Sequence, residues 1–303
     1  MDRHAHQLEP GILSEYRKHD ITSTEVASLF GCGYHSKFAL WHAKKTGVPI
    51  QSDKTERMRW GTRLQEAIAY EVSEEQGWIF LLPYSVYLRI PDLRIGSSFD
   101  YEAHDADGTF IVEVKNVDSL QFKKSWITDD EGNLEAPPHI ELQCQHQLLV
   151  SESERLCLVA LVGGNTLKLT WRKKNKIVHD AILRECKTFW KSIETNIPPE
   201  PDFAKDSESI IKMYQSVCDG KELDARSDPR INELLRLHDE ASKSEREAKL
   251  QKEATRAELI MLAGDHARII ADGFRVTSKT VAARKVAAYT SPEYRSFKIT
   301  KID

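Results

Sequence analysis

Apolar and polar positions alternate along the chain with helical and strand periods. "DITSTEVASLFGCG" predicts a helix start capped by Ser23 or Thr24 and ended by Gly31 and Gly33. "KFALWHAKKTG" predicts a second helix that stops at Gly47. A longer helix spans about Thr55 to Gly77, with Met58, Leu64, Ile68 and Val72 on one face. Next, "YSVYLRI", "RIGSSFD" and "FIVEVKN" read as a β-meander with turns at Pro91-Asp92 and Asp107-Gly108. "SLQFKKSWI" reads as helix, "DDEGNLEAPP" as loop and "HIELQCQHQLLV" as helix. "RLCLVALVGG" and "TLKLTW" predict a hairpin through Gly163-Gly164, followed by an amphipathic helix, "IVHDAILRECKTFWKSIET".

"IPPEPDF" marks a boundary, because three prolines in four residues stop helix and sheet alike. It separates a core, residues 1–200, from an extension, residues 201–303. The extension predicts one or two long charged helices, then short strands in "GFRVTSKTVAARKVAAYT" and "YRSFKIT".

At 303 residues, 40% hydrophobic and 30% charged, the chain can bury a sizeable core without metals or disulfides. Its net charge of −4 gives no global sign of nucleic-acid binding, although a local basic channel suffices for that. Five scattered cysteines (Cys32, Cys144, Cys157, Cys186, Cys218) contain no C-x-x-C and point away from a zinc ribbon or disulfide framework. A reducing cytoplasm is expected. "MDRHAHQLEP" lacks an apolar leader core, and no apolar run is long enough to span a membrane.

One strand changes the picture. In "FIVEVKN", strand alternation sends Phe110, Val112 and Val114 to one face and Ile111, Glu113 and Lys115 to the other. Unpaired charges in a core cost several kcal/mol, roughly, so an idle buried strand would not carry them. They suit the floor of a cleft. Asp100 ends the preceding strand and can project beside Glu113. Two such carboxylates suit a hard divalent cation with oxygen ligands, and the lysine can hold an attacking water or a phosphate oxygen. A solvent-facing Glu–Lys pair on a half-exposed sheet is the bland alternative.

Other segments supply partners. Arg59, Arg63 and Glu66 share a helix face; Glu66 could be a third carboxylate, or the face a solvated salt-bridge network. Gln143, His146 and Gln147 share another face, where Gln143 could orient water, while His146 suits the surface or an outer layer. Arg17 precedes the Ser23/Thr24 cap, which makes either a phosphate pocket or a plain N-cap. Lys44, Lys45, Lys123, Lys124 and "RKKNK" (172–176) could hold a phosphate backbone. Tyr34, Trp41, Trp60 and Trp126 could stack on bases, although core packing is the commoner fate of tryptophan.

The order of "ITSTEVASLFGCG…LWHAKKTG", "RWGTRLQEAI", "GSSFD", "VEVKN" and "IELQCQHQLLV", over roughly residues 15–195, resembles the YqaJ-like viral recombinase family, the phage-type alkaline exonucleases. The resemblance implies an α/β, restriction-endonuclease-like fold: a mixed central sheet flanked by helices, with the extension mainly helical with short strands. It implies Mg²⁺-dependent cutting of duplex DNA from a 5′ end, with two ions, Mn²⁺ as a substitute and no iron–sulfur cluster. By that likeness Asp100, Glu113, the Val114 carbonyl and Glu66 hold metal, and Lys115 and Gln143 position the water. Arg17 and Thr24 fall where the family binds the 5′-phosphate, with Ser23, Arg63, Lys123 and Lys124 as further DNA contacts. The likeness also implies 3′ overhangs, a single-strand annealing partner, a homotrimer, and a phage or prophage origin in a bacterial cytoplasm. Gln65-Glu66-Ala67 departs from the family's usual Leu-Glu-Pro, and the final hundred residues lack a counterpart in the shortest members. An endonuclease on the same fold, a decayed DNA-binding module and a helical scaffold are the alternatives.

Overall fold

The computed structural model describes residues 2–7, 10–50, 55–128, 134–214 and 220–280. The chain runs β1 (His4–Gln7), α1 (Pro10–His19), β2 (Ile21–Thr22), the one-turn α2 (Val26–Leu29), α3 (Lys37–Thr46) and α4 (Glu56–Gln76). Five strands follow: β3 (Phe80–Pro83), β4 (Val86–Ile90), β5 (Ile95–Ser97), β6 (Tyr101–Asp105) and β7 (Gly108–Val117). Then come α5 (Ser119–Ser125), β8 (Ile127–Thr128), β9 (Leu134–Glu135), α6 (Pro138–Ser151), β10 (Arg155–Val162), β11 (Thr166–Lys173), α7 (Lys176–Glu194) and α8 (Phe203–Met213).

Local chemistry sets the helix ends. Ser36 caps α3 by accepting from the Ala39 amide, and Gly47 closes it in the left-handed conformation. Thr55 and Gly77 do the same for α4. The expected cap of α2 is different. Glu25 occupies the N-cap position without a side-chain cap, while Ser23 and Thr24 form the preceding turn. The Glu25 carboxylate instead reaches back to the amide and hydroxyl of Thr22.

The expected three-strand meander is also corrected. β4 and β5 pair antiparallel in a four-stranded sheet ordered β1-β4-β5-β2. The chain then leaves that sheet through Ser98–Asp100 and enters a five-stranded sheet ordered β11-β10-β7-β6-β3. There the Asp107-Gly108 turn joins β6 to β7, and β7 pairs parallel with β10 across the crossover that contains α6. Asp100 therefore stands just before β6 and does not end β5.

Strand alternation distributes β7 between two apolar layers. Phe110 and Val112 pack with Ile68, Ala69 and Val72 of α4. Met58, expected on that face, is exposed. Ile111 packs on the opposite side with residues of α6 and α7, including Leu148 and Ile182. The result is a mixed α/β fold with helices flanking mixed sheets, the fold class expected from the sequence.

Two units are separable, Met1–Met213 and Tyr214–Asp303. Helix α8 lies beyond the proline-rich segment but within the first unit, where its buried Asp206 accepts from the Ser36 hydroxyl. The second unit contains one 35-residue charged helix, α9 (Pro229–Ala263), and a hairpin of β12 (Arg268–Ala271) and β13 (Phe274–Thr277). The strands expected beyond residue 280 lie outside the described residues, as does part of the 129–138 loop. Among the described residues no helix is long and apolar enough to cross a membrane.

Candidate active site

Glu113 is buried at 3% exposure on the α6 side of β7. Its burial is matched by donors. Lys115 Nζ donates to Oε1 at 2.5 Å, Gln143 Nε2 to Oε1 at 2.6 Å, and Gln147 Nε2 to Oε2 at 2.7 Å. Lys115 also donates to Gln143 Oε1 at 3.0 Å. A buried carboxylate is tolerable only with such partners. The two glutamines are one helical turn apart on α6, so their spacing alone aims both at the strand. Gln147 is an addition to the expected site; its signal was the four-residue repeat in "QCQHQ".

Asp100 lies at the edge of the same strand. β6 stops pairing at Tyr101, opposite Val112, which leaves the next free amide of β7 without a ladder partner. Asp100 Oδ2 fills that role, accepting from the Val114 amide at 2.8 Å. From α4 the Gln65 side chain approaches Asp100 and favours its charged form. Burial, then the Glu113 charge, raises the Asp100 pKa well above the usual carboxylate range. For Lys115, burial works against the charge, but Glu113 and Asp100 more than offset it and hold the ammonium above its ordinary range.

These groups test the fit of a divalent cation. A carboxylate offers roughly four lone-pair positions, so the donors above leave both carboxylates with acceptor capacity. Burial first, and then repulsion from the Glu113 carboxylate, make Asp100 hold its proton more tightly than an ordinary carboxylate. A dication relieves both costs, so the donor set of Asp100, Glu113 and the Val114 carbonyl fits Mg²⁺. Glu66 stands apart. It is exposed, and its charge is felt at the Tyr101 hydroxyl together with that of Asp100. Among the described residues no three His, Cys, Asp or Glu side chains converge on one point.

A second polar corner adjoins the first. Arg17 Nη2 donates to Ser98 Oγ at 3.0 Å, two residues before Asp100. Thr24 is exposed, and its hydroxyl lies 3.3 Å from that of Thr22; Ser23 is buried. Beneath them Lys44 Nζ donates to both Glu25 oxygens at 2.8 Å and to the Arg17 carbonyl. Lys44, expected in a solvated patch, is therefore a buried ion-pair partner, and burial outweighs Glu25 to lower its pKa. Ser98 and Lys44 were legible only through these contacts.

The remaining candidates separate. Lys123 and Lys124 are exposed at the end of α5. In "RKKNK", Arg172 forks onto Glu141, Lys174 pairs with Glu154 and Lys176 with Asp180. Arg63 is exposed and lies over the Trp60 ring. Trp41 and Trp126 are core residues, as tryptophans more often are. His146, expected at the surface or in an outer layer, is wholly buried, and burial pushes its pKa down to about 3.

No curated protein matches the chain. Among solved structures, the chain is similar to an alkaline exonuclease (LHK-Exo) from Laribacter hongkongensis, at 16% identity and a TM-score of 0.44 over 66% of this chain and 98% of that one. It is also similar to a phage-related exonuclease from Haemophilus somnus 129PT, at 11% identity and a TM-score of 0.45 over 61% of this chain and 98% of that one. The family model of the YqaJ-like viral recombinase domain matches residues 14–154, a span that contains Arg17, Asp100, Glu113, Lys115, Gln143 and Gln147. Over residues 14–154 this chain is thus similar to the YqaJ-like viral recombinase domain.

Proposed function

We propose that the protein is a Mg²⁺-dependent exonuclease that degrades duplex DNA from 5′ ends and leaves 3′ single strands for recombination. The observation that carries this reading is the convergence of Asp100, Glu113 and Lys115 at one strand edge, with Gln143 bridging the last two.

In this reading Asp100, Glu113 and the Val114 carbonyl hold the metal, with Glu66 as a further carboxylate on the α4 side. Bound there, the ions would supply Lewis-acid activation of water and stabilisation of the leaving oxygen. The protein's own groups do the rest. Lys115 is held in its charged form, so it serves as a hydrogen-bond donor to the water or a phosphate oxygen and not as the base. Gln143 fixes the ammonium's direction through its carbonyl oxygen and steadies Glu113 through its amide. Arg17, Ser98 and Thr24 form the corner that receives the 5′-phosphate, an arrangement suited to anion recognition by a guanidinium and hydroxyls. Ser23 supports that turn from within, and Arg63, Lys123 and Lys124 contact the DNA backbone. A single-strand annealing protein would take up the exposed strand, and a homotrimer would supply processivity.

Digestion of 5′-end-labelled linear duplexes tests this. Release of 5′-mononucleotides that depends on Mg²⁺, with a covalently closed circle left intact, is the expected result. Cutting of the circle would establish the endonuclease reading, and DNA binding without cutting would establish a decayed binding module.

A further inference from the structure

Four aromatic residues were candidates for base stacking, and the structure separates them. Trp41 and Trp126 are buried, and the Trp60 ring has Arg63 over it. Tyr34 is 74% exposed. The Tyr34 ring is therefore open to a stacking partner.

Tyr34 is also held in place. Its ring meets His139 edge to face, with centroids 5.1 Å apart and planes at 69°. The backbone before it is packed tightly: a Cβ at Gly33 would stand 2.5 Å from the Ser28 amide nitrogen and 2.5 Å from its hydroxyl. Only glycine permits that approach. The loop is thus fixed where it presents the ring.

His139 connects the ring to the reaction centre. His139, Gln143 and Gln147 are spaced by four residues on α6 and form one stripe. Gln147 and Gln143 both reach Glu113, and Gln143 also meets Lys115. His139 is the next position along this stripe, near enough for the Lys115 charge to affect it. Tyr34 therefore stands beyond Lys115, at the rim of the site.

We propose that Tyr34, braced by His139, is a stacking surface for the base of one of the two nucleotides that flank the scissile phosphate. This rests on the nuclease reading above. Base–aromatic stacking tolerates any sequence, as an end-resecting enzyme requires.

A binding cycle tests the inference. The full-length protein, Tyr34→Ala and Tyr34→Phe are titrated without metal against 5′-phosphorylated duplexes whose two 5′-terminal nucleotides are either normal or abasic. Tyr34→Ala should weaken binding of the normal end about tenfold, and Tyr34→Phe should stay within about twofold of the parent. On the abasic end the Ala variant should bind like the parent. Equal losses on both ends, or no loss on the normal end, would overturn the proposal. Mg²⁺-dependent cutting by the parent protein is measured in parallel. If the parent cuts normally while Tyr34→Ala behaves as wild type, only the stacking inference fails. If the parent does not cut, the nuclease reading fails.

Discussion

Gln143 holds Glu113 and Lys115 at once: its Nε2 donates to Glu113 at 2.6 Å, and its Oε1 accepts from Lys115 at 3.0 Å. One amide thus holds an anion and a cation in register with each other. Gln143→Ala should lower kcat by about 10–100-fold, the usual cost of removing a group that orients a metal ligand. KM for duplex ends should change little. Gln147→Ala removes a donor from the buried Glu113 Oε2 and should cost about 1–3 kcal/mol of stability, with a smaller effect on kcat. Steady-state kinetics and urea melts on both variants check the pair.

Lys44 braces the corner formed by Arg17 and the Thr22–Glu25 turn from below. It clamps Glu25 and the Arg17 carbonyl, while Glu25 clamps Thr22. Lys44→Met should destabilise the protein by about 3–5 kcal/mol, since it strands a partly buried carboxylate. Lys44→Met with Glu25→Gln removes both charges and should recover much of that loss. In both variants the rate ratio for 5′-phosphate over 5′-hydroxyl ends should fall toward that of Arg17→Ala. An unchanged ratio in folded protein would restrict Lys44 to a purely structural role.

His146 should make the protein acid-sensitive. Its folded pKa is about 3 because the ring is buried, whereas an exposed histidine titrates near 6.5. The unfolded chain therefore takes up a proton that the folded protein refuses. This contribution to stability is complete above pH 6.5, roughly, and is lost as the pH falls, at about 1.4 kcal/mol per pH unit. Comparing chemical melts of the parent and His146→Gln between pH 8 and pH 4 should show a shallower acid loss in the variant. Equal slopes would assign the acid response to other groups.

Local patterns in the sequence carried most of the helix boundaries, because Ser36, Thr55, Gly47 and Gly77 encode caps within a few residues. The β4–β5 and β6–β7 assignment was harder. Both pairs have strand periodicity, and nothing in the short Ser98–Asp100 link states that the chain changes sheets there. Glu113 and Lys115 were legible as a breach of alternation in an apolar strand. Gln65 and Ser98 were not, because a polar residue on a helix or in a loop looks like a solvent-facing one until its partner is known. Lys44 had the same disguise: its lysine pair ends a helix in the ordinary way, and only the fold places Glu25 beneath it.

The central claim is that Asp100 and Glu113 hold a cation whose chemistry Lys115 completes. Its most direct test is the rate of nucleotide release from a linear duplex, measured against Mg²⁺ concentration for the parent, Asp100→Asn and Lys115→Met. The parent should show saturable Mg²⁺ dependence, and both variants should be slower by at least about 10³-fold while still folded and bound to DNA. Release that persists in excess chelator, or at the parental rate in Asp100→Asn, would contradict the account.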